Sequence, residues 1–111
     1  MTVKDLVDKY DFRIFAGEKG LEKKVKGGYV SDLLSDVMGN AEKDQLWLTL
    51  QTHKNVMAIA SLKDLAGVLL VNGSEPEPGM MEMANAEGIP VLGSNLPCFE
   101  TTGKIFERLQ G

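Results

Sequence analysis

Apolar positions follow two rhythms along this chain. After Thr2, the residues Val3, Leu6, Val7 and Tyr10 recur at helical spacing, and Asp5 stands where a capping box places its acid. Asp11 interrupts that pattern. Phe12, Arg13, Ile14 and Phe15 then alternate as in a strand, Ala16 to Gly20 reads as a glycine-punctuated turn, and Gly20 to Lys24 is charged and exposed. From Val25 onward the rhythm is regular. Strand-like apolar runs begin near Val25, Leu46, Gly67 and Ile89, about 21 residues apart. Helical spacing fills the gaps: Leu33, Leu34, Val37 and Met38; Val56, Met57, Ile59, Ala60 and Leu62; Met80, Met81, Met83 and Ala84. A last helix runs from Phe99 to Leu109, with Thr102, Ile105 and Phe106 on its apolar face.

A succession of β-α units predicts a layered α/β sandwich with a mostly parallel sheet of about five strands flanked by helices. Parallel neighbours need a crossover of about a dozen residues, and such crossovers are right-handed helices. The runs Leu46 to Leu50 and Val68 to Val71 suit buried central strands. The units share no residue signature, so they read as short βα units and not as a solenoid. Pro76, Pro78 and Gly79 mark the start of one helix and Gly88 its end, Pro90 starts a short strand, and Pro97 opens the final helix. No linker or low-complexity tract divides residues 1–111, which read as one domain.

Composition narrows the classes. The 111 residues are 43% hydrophobic and 25% charged, enough for a core without staples, and Cys98 is the only cysteine. No apolar run reaches the ~20 residues of a membrane span, and the start of the chain lacks a signal-peptide plan, so a cytoplasmic chain without membrane contact is expected. A net charge of −4 and 6% aromatics argue against nucleic acid as a partner.

In an open α/β sheet, ligands collect at the strand carboxyl ends, near a switch in strand order. Those ends carry Ser31 and Asp32; Thr49, Gln51, Thr52 and His53; Asn72, Gly73 and Ser74; Gly93, Ser94 and Asn95. From these, Asp32, Thr52, His53, Asn72, Gly73 and Ser94 form the candidate ligand edge: hydroxyls from Thr52 and Ser94, close backbone approach at Gly73, and a pH-sensitive contact at His53. The same residue types are ordinary caps and turn formers. Asp32 and Asp36, four apart on one expected helix, are a candidate carboxylate pair or simply early-turn acids. His53 lacks a nominated nucleophile and orienting acid, and one cysteine and one histidine far apart make no zinc set. Thr101-Thr102-Gly103-Lys104 resembles the end of a phosphate-binding loop, but Cys98 replaces its first glycine and Ile105 its Ser or Thr. Catalytic residues, metals and cofactors are therefore not expected.

The blocks GGYVSDLLSDVMGNA, LWLTLQTHKNVMAIASLKDLAGVLLVNG and GIPVLGSNLPCFETTGKI resemble a DRTGG domain over about Val25 to Leu109. Such domains are similar to the N-terminal domain of HPr kinase/phosphatase, and they also occur in CBS-domain pyrophosphatases and some phosphotransacetylases. Where many members have Gly-Asp-Arg this chain has Gln51-Thr52-His53, and where they have Thr-Gly-Gly it has Asn72-Gly73-Ser74. The YVSDLLSDVM block and the Thr52-His53-Lys54-Asn55 stretch resemble a stand-alone subgroup that can accompany iron-only hydrogenases. The resemblance implies an HPr kinase N-terminal-domain-like fold and a non-catalytic regulatory or assembly module. It further implies a homodimer that meets a protein partner, hydrogenase-associated by resemblance, or a small ligand. A sensor of a nucleotide or other phosphorylated molecule is the alternative, and an enzyme is third.

Overall fold

The computed structural model describes residues 1–111. Helix α1 (Val3–Tyr10) opens with both capping-box bonds: the Thr2 hydroxyl accepts from Asp5 N–H at 3.2 Å, and Thr2 N–H donates to the Asp5 carboxylate at 2.9 Å. Asp11 ends it in the left-handed region, φ 57°, with its N–H returned to Val7 O. Strand β1 (Arg13–Ala16) follows, then a 3-10 turn at Glu18–Gly20. Four βα units complete the chain: β2 (Gly27–Val30) with α2 (Leu34–Asn40), β3 (Gln45–Thr49) with α3 (Asn55–Leu62), β4 (Gly67–Leu70) with α4 (Pro78–Glu87), and β5 (Val91–Gly93) with α5 (Cys98–Gln110).

The five strands form one sheet in the order β1-β5-β4-β3-β2. Strands β2 to β5 are parallel, and β1 lies antiparallel to β5 with Arg13 opposite Gly93. The expected α/β sandwich with a mostly parallel five-stranded sheet is what the chain forms. Because β2 to β5 follow in simple order, right-handed crossovers put α2, α3 and α4 on one face. There Val37, Met57, Ala60, Met80 and Ala84 pack on Trp47, Val68, Leu70 and Val91. The alternate residues Leu46, Leu48, Leu69 and Leu92 point the other way, against Val3 and Leu6 of α1 and Ile105 of α5. Both strand faces are apolar because both are covered, so β3 and β4 read as continuous apolar runs.

Three local features depart from the sequence pattern. Phe15 is bulged, since Ile14 lies opposite Leu92 and Ala16 opposite Val91. Helix α2 starts only at Leu34, so Asp32 stands outside it and shares no helical face with Asp36. The strand order also does not reverse within the parallel part; what changes is the face of the sheet, with α4 packed on one side and α5 on the other. No helix is long and apolar enough to cross a membrane.

Candidate functional site

All four parallel strands end at one edge, and the antiparallel β1 begins there. The loops after β4 and β5 depart to opposite faces, the arrangement that opens a ligand crevice in many α/β sheets. Here backbone bonds close it. Asn72 N–H donates to Leu96 O at 2.8 Å, Gly73 N–H to Ser94 O at 2.9 Å, and Ser94 N–H to Leu70 O at 2.8 Å. Asn72 and Gly73 adopt left-handed conformations, φ 57° and 72°, which turn the chain back for those bonds.

The six residues of the expected edge are placed as follows. Asp32 Oδ1 accepts from Thr49 Oγ1 and from Leu50 N–H, each at 2.8 Å, and so caps the end of β3. Thr52 donates its hydroxyl to Glu77 at 3.3 Å, and Thr52 O accepts from Glu77 N–H, tying the β3 loop to the start of α4. His53 is exposed, and its Nδ1 accepts from Asn55 N–H at 3.1 Å at the start of α3. Ser94 is buried, with its hydroxyl 2.9 Å from that of Thr101. Asp32, Thr52, His53 and Asn72 therefore share the edge without lining a common cavity, while Gly73 and Ser94 meet over a small hollow beside Arg13 and Asn95. The side chains of Asp32, Thr52 and Ser94, the Nδ1 of His53 and the backbone N–H groups of Asn72 and Gly73 are engaged in turns and caps. The other singled-out residues resolve likewise: Cys98 Sγ sits 3.6 Å from Thr102 Oγ1, Met80 is buried, and Thr101 to Lys104 lie within α5.

Two further surfaces stand out. One is a cleft of about 400 Å³ between α1, the end of β5 and α5, lined among others by Lys9, Tyr10, Arg13, Asn95 and Lys104. Sequence reasoning passed over its basic residues, because only the pairing of β1 with β5 brings Arg13 beside Ser94 and Asn95. Arg13 stacks over Phe15, 4.5 Å from the ring centre, with Glu75 at 3.7 Å. The second is an apolar groove between β2 and α5, lined by Val30, Leu48, Thr102, Ile105, Phe106 and Leu109. Val30 is 48% exposed, Phe106 62% and Phe99, one turn before Thr102, 87%.

No protein-family model matches the chain, and no curated protein matches it in sequence. Among solved structures it is similar to the CBS and DRTGG domains of the regulatory region of Clostridium perfringens pyrophosphatase, complexed with the activator diadenosine tetraphosphate. The TM-score is 0.67 at 12% identity, and the match covers 93% of this chain and 44% of that one. The likeness is one of fold. This chain spans less than half the length of that regulatory region.

Proposed function

We propose that the chain is a non-catalytic regulatory and assembly module of the DRTGG type, that residues 1–111 act as one domain, and that it works as a homodimer. The fold it shares with a regulatory region supports the first part, together with the sequence blocks that resemble DRTGG domains. The strand-edge side chains Asp32, Thr52 and Ser94 hold turns in place, and they leave that edge as a firm surface for contacts.

One observation carries the self-association. The edge strand β2 is Gly27-Gly28-Tyr29-Val30, with none of the charges or prolines that usually protect a free strand edge. Lys26 N–H bonds to Asp44 O toward β3, so by alternation Gly27 and Tyr29 turn their backbone groups outward. Beside this edge, Val30, Phe99 and Phe106 expose apolar surface from neighbouring elements. A second copy seated there would cover both, with about 2 kcal/mol gained for each phenylalanine fully buried.

Light scattering after size exclusion at tens of micromolar tests this reading. A particle of twice the chain's mass is expected, and Phe106→Glu shifts it to a monomer with unchanged far-ultraviolet dichroism. A wild-type monomer at that concentration overturns the dimer.

A further inference from the structure

We propose that the cleft between α1, the end of β5 and α5 binds a phosphorylated small molecule. Its cations come from three separate elements: Lys9 from the last turn of α1, Arg13 from the first position of β1, and Lys104 from the middle of α5. Asp11 is the one carboxylate in the lining. On a chain of net charge −4 an average patch of surface is acidic, so three cations around one cavity reverse the local field. An adjoining hollow along α5 shares Lys9 and Lys104 and sets Arg108 against Glu107.

The cations are held in ways that leave their charge available. Lys9 and Lys104 take part in no ion pair. Lys104 Nζ lies 5.8 Å from the centre of the Tyr10 ring, and Tyr10 donates its hydroxyl to Lys104 O at 2.9 Å, which fixes α5 against α1. The Arg13 guanidinium is backed by the Phe15 ring, and its carboxylate neighbour Glu75 at 3.7 Å is beyond hydrogen-bond distance. Arg13 and Lys104 are thus each set against an aromatic ring, and of the three cations only Arg13 has an acidic partner, Glu75, held without a hydrogen bond.

Ligand chemistry follows from this donor set. A phosphate group spreads its charge over three oxygens and takes charge-assisted bonds from several directions, which suits an arginine fork and two ammonium groups. Asn95 adds a neutral amide at the rim, and Tyr10, Phe12 and Leu96 give apolar walls for the rest of the molecule. A volume of about 400 Å³ fits a molecule of nucleotide size. A nucleic-acid polymer would extend beyond the cleft over a chain whose net charge is −4. The cleft lies on the flank of α5 that carries Lys104 and Arg108, away from Phe106, so ligand binding and self-association are separately testable.

Isothermal titration of the whole chain at low ionic strength with ADP, inorganic pyrophosphate and adenosine decides the matter. Saturable binding of ADP or pyrophosphate is expected, with none of adenosine. Arg13→Ala and Lys104→Ala should each weaken it about tenfold or more. Lys43→Ala, at the opposite edge of the sheet before β3, should leave it unchanged. The proposal is overturned if neither phosphate compound saturates, if adenosine binds as well as ADP, or if Lys43→Ala weakens binding as much as Lys104→Ala. None of these outcomes bears on the light-scattering test, so the cleft can fail while the assembly reading stands.

Discussion

The hydroxyls of Ser94 and Thr101 lie 2.9 Å apart in the interior, joining the end of β5 to the first turn of α5. Thr101 Oγ1 donates to Leu96 O at 3.3 Å, so the Ser94 hydroxyl is the donor between the two side chains. The Ser94 oxygen in turn accepts from Leu96 N–H at 3.2 Å. Ser94→Ala breaks this relay, leaving Leu96 N–H without its acceptor and Thr101 Oγ1 without its donor, a loss of about 1–2 kcal/mol. A lower urea midpoint with an unchanged slope is the expected result, and a wild-type midpoint would show that the relay does not hold the loop.

Asp32 plays a comparable part at the end of β3. Asp32→Ala removes the shared acceptor of Thr49 Oγ1 and Leu50 N–H and should cost about 1–2 kcal/mol. Asp32→Asn keeps an oxygen in place and should lose less. Equal losses in the two variants would mean that the negative charge, and not the acceptor geometry, matters there.

Acid stability has an identifiable contributor. The hydroxyls of Ser31 and Tyr29 hold the Asp36 carboxyl below the usual carboxylate range, and Tyr29 Oη lies 2.9 Å from both carboxylate oxygens. A folded-state value below the unfolded one stabilises the protein above the unfolded pKa of about 4, and that part is lost as pH falls through the folded value. The same bond raises the Tyr29 phenol, so its stabilisation holds below the ordinary tyrosine value and is lost as pH rises through the raised one. Tyr29→Phe should move the Asp36 titration upward in a carboxyl-detected NMR series and weaken the dependence of the urea midpoint on pH at the acid end. An unmoved Asp36 titration would place the cause elsewhere.

Two glycines should answer oppositely to alanine. Gly17 has φ +74°, and a Cβ there would collide with the backbone carbonyl of Ile89. Gly17→Ala must displace the corner where β1 meets β5, so its cost should exceed the roughly 1–2 kcal/mol of a left-handed alanine alone. Gly103, inside α5, has open space around its would-be Cβ. Gly103→Ala should stabilise by about 1 kcal/mol through helix propensity. Thermal melts of the two variants give both signs directly.

Periodicity made the sheet legible because the chain is built from short local units. The capping box at Thr2 and Asp5, the left-handed stop at Asp11, Pro78 inside the first turn of α4 and Gly88 at its end are all local signals, and each marks its element. The fold class followed from them. The site was less legible for the opposite reason. Strand ends showed that Asp32, Thr52 and Ser94 share an edge, but not that Thr49, Glu77 and Thr101 would occupy their polar groups. The basic cleft depends on β1 pairing with β5, a contact between residues far apart in the chain, and no spacing rule brings Arg13 to Asn95.

That same pairing has a kinetic consequence. Strand β1 is made before the other four, yet its only partner in the sheet is β5, nearly eighty positions later. The units from β2 to β4 can assemble in order as each emerges, because each neighbour in the sheet is also a neighbour in sequence. Residues 13–16 must wait, with Ile14 and Phe15 unsheltered, until residues 91–93 have left the ribosome. The closing of so long a loop is a slow step by its topology, and the helical layer of α1 and α5 can settle only after it. Nascent chains stalled before Val91 should therefore carry order from β2 to β4 and protease sensitivity at residues 13–16.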